Sequence, residues 1–379
     1  LNFDIRQGQP GYSRFIDQKI TPDVLAFIAD CILNLPDRDS FTVRDIWDSK
    51  YFENNIKAIF GKPTPSNDNA FSEYNKFIGQ PLKTLAFSKV LDENKSGNTN
   101  TYNIRNLELL EYISLNERGS LDFLYEYLQK VLIESGVWTH IQNYLNEPTL
   151  ESFNTLKERF QRFILGNTEI NGKLEINRIF PKVINPIAVR NGVPGSEKGR
   201  ITEHPFNFSD LMYNRINFRD LKKAKGTSRL EAYEVKKQQT DFSDYRITKA
   251  MELVKRKYSE SEVRDQWANG QATQVHHIFP RATHQEFAAY TENLIKLTPE
   301  QHFSKAHPNA HTQRVDANYQ LQCLLSKSNS IQNSLEAGEF IYSLNNFIHL
   351  LNSCLKTNIN NRASMEEIKE VLQQRQVAV

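Results

Sequence analysis

Six of the nine histidines in this chain lie between His276 and His311, in a segment whose other residues restrict how the backbone can run. Thr273 to Phe279 is β-branched and apolar enough for a short strand, and Pro280 ends its ladder because it has no N–H to donate. A second apolar run, Asn293 to Leu297, follows after 13 intervening residues. Thr298 can then cap a helix, Pro299 suits the first helical position, and Gln301 stands where a capping box places its returning side chain. The predicted order is strand, strand, helix. His276 and His277 close the first strand, Asn293 opens the second, and His302 rides on the helix.

Imidazole can ligate a divalent metal and can also accept a proton near neutral pH, so this crowding marks a candidate reaction centre. Neighbouring residues on a strand point to opposite faces, which suits a division of roles between His276 and His277. A bend imposed by Pro280 would instead bring both to one cleft. The pattern resembles the HNH nucleases, whose catalytic unit is a two-stranded hairpin packed on a helix around one metal ion. Position by position, the resemblance implies that His276 and His302 ligate the metal and that His277 is the general base. It also implies that Asn293 braces the loop and helps orient the base. Phosphodiester hydrolysis needs a nucleophilic water, a cation to stabilise charge on the phosphate and leaving oxygen, and fixed geometry. The implied cofactor is Mg²⁺ or another divalent ion such as Mn²⁺, and the implied products carry 5′-phosphate and 3′-hydroxyl ends.

The match departs from the family in two places. Family members often carry two helical ligands four residues apart, whereas His302 and His307 are five apart, about 140° around a regular α-helix. His307 therefore either joins the metal by leaving the helix ahead of Pro308, or holds phosphate. The family's frequent zinc-binding cysteine quartet is also missing, since Cys31, Cys323 and Cys354 are far apart. His284 and His311 fit no family position and read as surface residues. Packed or surface histidines, and a structural zinc site built from the same imidazoles, are the alternatives to a catalytic centre.

A chain of 379 residues is longer than one core usually organises. With 39% hydrophobic and 24% charged residues it reads as globular rather than disordered. No apolar run approaches a membrane span, and the first residues show neither a basic nor an apolar leader region. Isolated cysteines fit a reducing, cytoplasmic compartment. The net charge of +2 conceals an uneven distribution: Arg215 to Lys257 holds 13 Lys or Arg against 6 Asp or Glu, leaving the remainder at −5. Arg215, Lys222, Lys223, Lys225 and Arg229 are candidate phosphate contacts, with Lys255, Arg256 and Lys257 nearer the histidine segment. A solvated helix face is the plainer reading of such a cluster.

Asn177 to Arg229 is punctuated by Pro181, Pro186, Gly192, Gly195 and Gly199, which predicts turns and extended loops. Arg190, Lys198 and Arg200 are interleaved there and are candidate DNA-binding residues. Together with Leu211 to Arg215 and the histidine segment, this stretch is similar to type II restriction endonucleases of the HNH class.

Upstream, helices are predicted from Asp23 to Leu35, from Thr42 and over Ala70 to Ile78. Ala86 to Leu91 and Asn100 to Ile104 then read as a hairpin with a polar tip at Asn94 to Asn98. Helices followed by a hairpin match the order of a winged-helix DNA reader, or of a generic helical domain. Helical spacing recurs over Leu121 to Ile141, Leu150 to Leu165, Tyr245 to Trp267, Gln320 to Lys327, Ile331 to Leu355 and Ser364 to Gln374. Phe340, Ile341, Leu344, Phe347, Ile348 and Leu351 form an apolar stripe suited to core packing or to a homodimer interface.

These readings predict an α+β, mostly helical protein in three parts: 1–120, helical and of winged-helix order; 121–240, helical, loop-rich and DNA-contacting; and 241–379, a ββα-metal (HNH) domain with flanking helices. The predicted activity is sequence-specific cleavage of double-stranded DNA by a type II restriction enzyme, with a companion DNA methyltransferase in the host and no membrane partner. The alternatives are a modification-dependent HNH endonuclease and a non-catalytic DNA-binding protein with structural zinc.

Overall fold

Thr21 adopts an extended conformation, Pro22 supplies a preset φ at the first helical position, and apolar residues follow at nearly every site; the result is α1 (Pro22–Leu33), buried along its whole length. In the computed structural model, which describes residues 2–7, 15–60, 71–97, 99–213, 244–306 and 315–377, the chain is α+β and mostly helical. It forms two compact units, Leu1–Gln239 and Thr240–Val379. The division expected at residue 120 falls inside a helix, so the first two parts belong to one unit.

In the first unit, Thr42 and Asp45 form a capping box that starts α2 (Val43–Trp47), and α3 (Lys50–Phe60) follows. The axis provided by α1 packs against α4 (Phe71–Phe87), and then against α5 (Leu107–Leu115) and α6 (Glu117–Glu134) beyond a hairpin. That hairpin pairs β1 (Leu91–Ser96) with β2 (Thr99–Ile104) in antiparallel register, Leu91 opposite Ile104. Its first strand begins where the sequence reading ended it. Ala86 and Phe87 finish α4, and the polar run Asp92 to Lys95 is strand because it pairs residue for residue with Thr101 and its neighbours. Phe41 adds a short bridge to Tyr102, with N–H to O=C bonds of 2.9 and 2.7 Å.

The predicted helix from Leu121 to Ile141 is broken at Gly136, whose φ of 75° suits glycine, giving α6 and α7 (Trp138–Asn146). After α8 (Leu150–Asn167), the stretch expected to be looped is instead α9 (Lys173–Asn191), which runs through Pro181 and Pro186. Each internal proline costs about 3 kcal/mol, but Ile176, Ile179, Phe180, Val183, Ile184 and Ile187 are buried on one face and outweigh it. Gly192, left-handed at φ 65°, ends the helix. Lys198 and Gly199 then have φ of 52° and 77°, the two positive values a tight primed turn demands, and join β3 (Pro194–Glu197) to β4 (Arg200–Pro205).

The second unit opens with α10 (residues 244–257). The helix predicted to continue to Trp267 stops there because the next residues bond to the sheet instead: Glu262 N–H donates to Lys296 O at 3.0 Å, and its carboxylate accepts from Lys296 N–H at 2.8 Å. Strands β5 (Gln274–His277) and β6 (Leu294–Leu297) pair antiparallel, His276 opposite Ile295 and His277 opposite Leu294. A π-helical turn, Gln301–Ala306, follows, then α11 (Ala317–Glu336), α12 (Leu344–Leu355) and α13 (Met365–Val377). The apolar stripe on and before α12 is consumed by this unit's core: Ile341, Phe347, Ile348 and Leu351 are buried, and Phe340 alone of the stripe is exposed. It therefore leaves no continuous face for a dimer. No described helix is long and apolar enough to cross a membrane.

Candidate active site

The short strands place two adjacent imidazoles at one end of a hairpin, and the residues beyond it determine where each ring goes. His276 is 2% exposed, and its ring stands edge-on to that of His302, with centroids 5.3 Å apart. Two imidazoles bound to one ion through bonds of about 2.1 Å hold their ring centres roughly 5 Å apart. The pair thus fits a shared divalent cation in both donor type and separation. Among the described residues, no three His, Cys, Asp or Glu side chains converge as a metal-holding group.

His302 is positioned by the capping residues. Thr298 N–H donates to Gln301 Oε1 at 3.0 Å, and Gln301 N–H donates back to Thr298 Oγ1 at 3.2 Å, the reciprocal arrangement expected from the sequence. Gln301 is fully buried and does more than cap. Its amide oxygen also accepts from Ser261 Oγ at 2.6 Å, and its amide nitrogen donates to Val263 O at 3.0 Å and to Asp265 Oδ1 at 2.8 Å. Tyr319 donates its hydroxyl proton to Asp265 Oδ2 at 3.1 Å. With its amide bonded on both sides, Gln301 has one orientation, and the residue after it is His302.

The turn bearing His302 is π-helical rather than α-helical. Bonds from i to i+5 widen the turn between Gln301 and Ala306 relative to a regular α-helix. His307 itself lies outside the described residues, as do His311, Arg215, Lys222, Lys223, Lys225 and Arg229.

His277 engages a different partner, as alternation along a strand requires. Its Nε2 lies 3.0 Å from Ala288 O. A carbonyl can only accept, so Nε2 carries the proton and Nδ1 keeps the lone pair. Burial lowers the imidazole's pKa, the Ala288 carbonyl pulls it back up, and the positive charge of Arg281 lowers it again; the net direction is down. Burial and the Arg281 charge thus both favour the neutral ring over the charged one.

Asn293 is completely buried and links this ring to the loop. Its Oδ1 accepts from Phe279 N–H at 2.8 Å, and its Nδ2 donates to Phe279 O and Phe287 O, both at 3.1 Å. It thus clamps both ends of the loop that ends at Ala288, whose carbonyl holds His277. Nothing in the sequence marks Ala288, because its contribution is a backbone oxygen. The residues that fasten Gln301, namely Ser261 and Asp265, were likewise missed, since they stand in a stretch that reads as helix.

The proposed DNA contacts fall into two kinds. Lys198 and Arg200 are exposed on the β3–β4 turn, whereas Arg190 forms an ion pair with Asp122 and stacks over Tyr125 at 5.2 Å. In the second unit, Lys257 is paired with Glu339. Of the remaining histidines in the segment, His284 is half-buried, its ring against Phe279 at 5.5 Å and its Nδ1 2.8 Å from Thr283 Oγ1. Comparison with protein-family models, with curated proteins and with solved structures gives no match for this chain.

Proposed function

We propose that the second unit is a metal-dependent DNA endonuclease centre of the HNH kind, and that the whole chain is a restriction enzyme cutting double-stranded DNA. The observation that carries the reading is the coupling of His277 to Asn293 through the loop ending at Ala288, beside the His276 and His302 imidazoles at metal-sharing distance. His276 and His302 would hold one Mg²⁺ or Mn²⁺, with His307 a further candidate ligand, and the bound ion would supply positive charge to the phosphate and leaving oxygen. His277 Nδ1 takes the proton of the attacking water, and Asn293 keeps the loop, and through it the imidazole, in place. A structural zinc centre is less well supported, because such sites are closed by four protein ligands and the described residues provide two.

In the first unit, helices followed by the β1–β2 hairpin, with Phe41 bridged to Tyr102 as a third short strand, support a winged-helix reader of DNA. Lys198, Arg200 and the basic run from Arg215 to Arg229 would add contacts to phosphates. Sequence specificity, a protective companion methyltransferase and the modification-dependent alternative follow from the same reading. Incubation of the full chain with unmodified and modified genomic DNA plus Mg²⁺, followed by sequencing of the ends, tests it. Discrete metal-dependent cuts with 5′-phosphates support the reading, cuts confined to modified DNA select the alternative, and intact DNA in both removes the activity.

A further inference from the structure

We infer that Arg281 clamps a phosphate of the DNA strand at the His277 centre, and that in the DNA-free protein the Asp244 carboxylate takes the place of that phosphate. The inference rests on the nuclease reading, and its argument is geometric. Arg281 stands four residues beyond His277 and two beyond Phe279, whose N–H and C=O are both held by Asn293. The turn that carries it is closed by Thr283 and His284, whose N–H groups donate to Pro280 O at 3.1 and 3.0 Å. A cationic side chain is therefore mounted on the same loop that orients the base, and its charge reaches the His277 ring.

The Arg281 guanidinium donates to Asp244 on α10. The side chains of the pair are 42% and 49% exposed. An ion pair this open is screened by water and contributes little, so an incoming phosphodiester readily displaces the carboxylate. Guanidinium is suited to the exchange, because its planar donors engage a phosphate and a carboxylate in the same two-bonded manner. Asp244 is not stranded by the loss, since its side chain is 49% exposed and water can take the place of the guanidinium.

The test compares the full-length protein with Arg281→Ala, Arg281→Lys, Asp244→Asn and His277→Ala. Two quantities are read: turnover on plasmid at saturating DNA with Mg²⁺, and binding of a mixed-sequence duplex in EDTA as a function of salt. Arg281→Ala should lower turnover about 10²–10³-fold, as loss of one oriented donor to a reacting oxyanion does, and reduce the salt slope by about one. Arg281→Lys should restore the slope but only part of the turnover, because ammonium keeps the charge without the two-bonded geometry. Asp244→Asn should bind the duplex severalfold more tightly with turnover undiminished.

Wild-type turnover and slope in Arg281→Ala would overturn the inference. So would an Asp244→Asn protein as defective as Arg281→Ala, because the pair would then be architectural. If wild type cuts and His277→Ala does not, either result removes the Arg281 assignment alone. If wild type fails to cut, or His277→Ala cuts normally, the nuclease reading falls, and an unchanged salt slope in Arg281→Ala removes the phosphate contact as well.

Discussion

The two units bury polar groups in different ways. In the first, the buried polar residues among those described are all short: Asn116 caps α6 by accepting from Gly119 N–H at 2.7 Å, Asp23 accepts from Tyr213 N–H, and Asn185, inside α9, ties that helix to β3 through both the N–H and the C=O of Ser196. The bulk of that core is aromatic and aliphatic, with Phe27 tilted against Phe52 and Phe60, and Phe60 edge-on to Phe77. In the second, long polar side chains are taken inside. Lys327 and Glu262 pair at 2.6 Å with 0% and 1% exposure, Lys327 also donates to Tyr342 Oη at 3.0 Å, and Glu262 holds the backbone of β6. Burying such charges is expensive, and apolar replacements are often as stable. The contrast shows where shape matters more than stability. Short polar side chains suffice inside one unit, whereas the other adds a buried ion pair of long side chains beside its four-residue hairpin.

The largest expected effect is catalytic. His302→Ala should lower metal-dependent cleavage by several orders of magnitude and weaken Mn²⁺ binding in calorimetry, while thermal unfolding stays close to wild type. Unchanged Mn²⁺ affinity would detach the π-helical turn from the metal. Next comes Lys327→Ala, which leaves the Glu262 carboxylate buried without its partner and should cost about 3–5 kcal/mol in urea unfolding. Replacing both partners, Lys327→Met with Glu262→Leu, should recover most of that stability but not the cleavage rate, since β6 loses its backbone anchor. Full activity in the double variant would contradict the shape argument.

Smaller effects should come from the first unit. Arg190→Ala removes a partly exposed pair and should cost about 1 kcal/mol without changing the salt dependence of DNA binding. Lys198→Ala and Arg200→Ala should each leave unfolding within about 0.5 kcal/mol of wild type while lowering the salt slope by about one. An Arg190→Ala protein with a reduced slope would return that residue to the DNA-contacting set.

Local chemistry was legible where it is carried by residues adjacent in sequence. Thr298, Pro299 and Gln301 announced the capped turn that carries His302, whereas β5 ends at His277, two residues short of the expected Phe279, and Asn293 stands just before β6 rather than in it. Tertiary burial overrode local signals elsewhere. The buried face of α9 carries it through two prolines, and hydrogen bonds to β6 hold Ser261 and Glu262 out of the helix that their spacing predicted. The Ala288 carbonyl is unreadable because every residue has one, and the bonds that fix Gln301 because they come from Ser261, Val263 and Asp265, far away in sequence.

The central claim is that His277 acts on water rather than on fold or affinity. Its most direct measurement compares His277→Ala with wild type in two assays on the same duplex, cleavage with Mg²⁺ and equilibrium binding without it. The account predicts a loss of turnover by several orders of magnitude with binding nearly unchanged, because a general base contributes little to ground-state affinity. Near-normal cutting by the variant would contradict it.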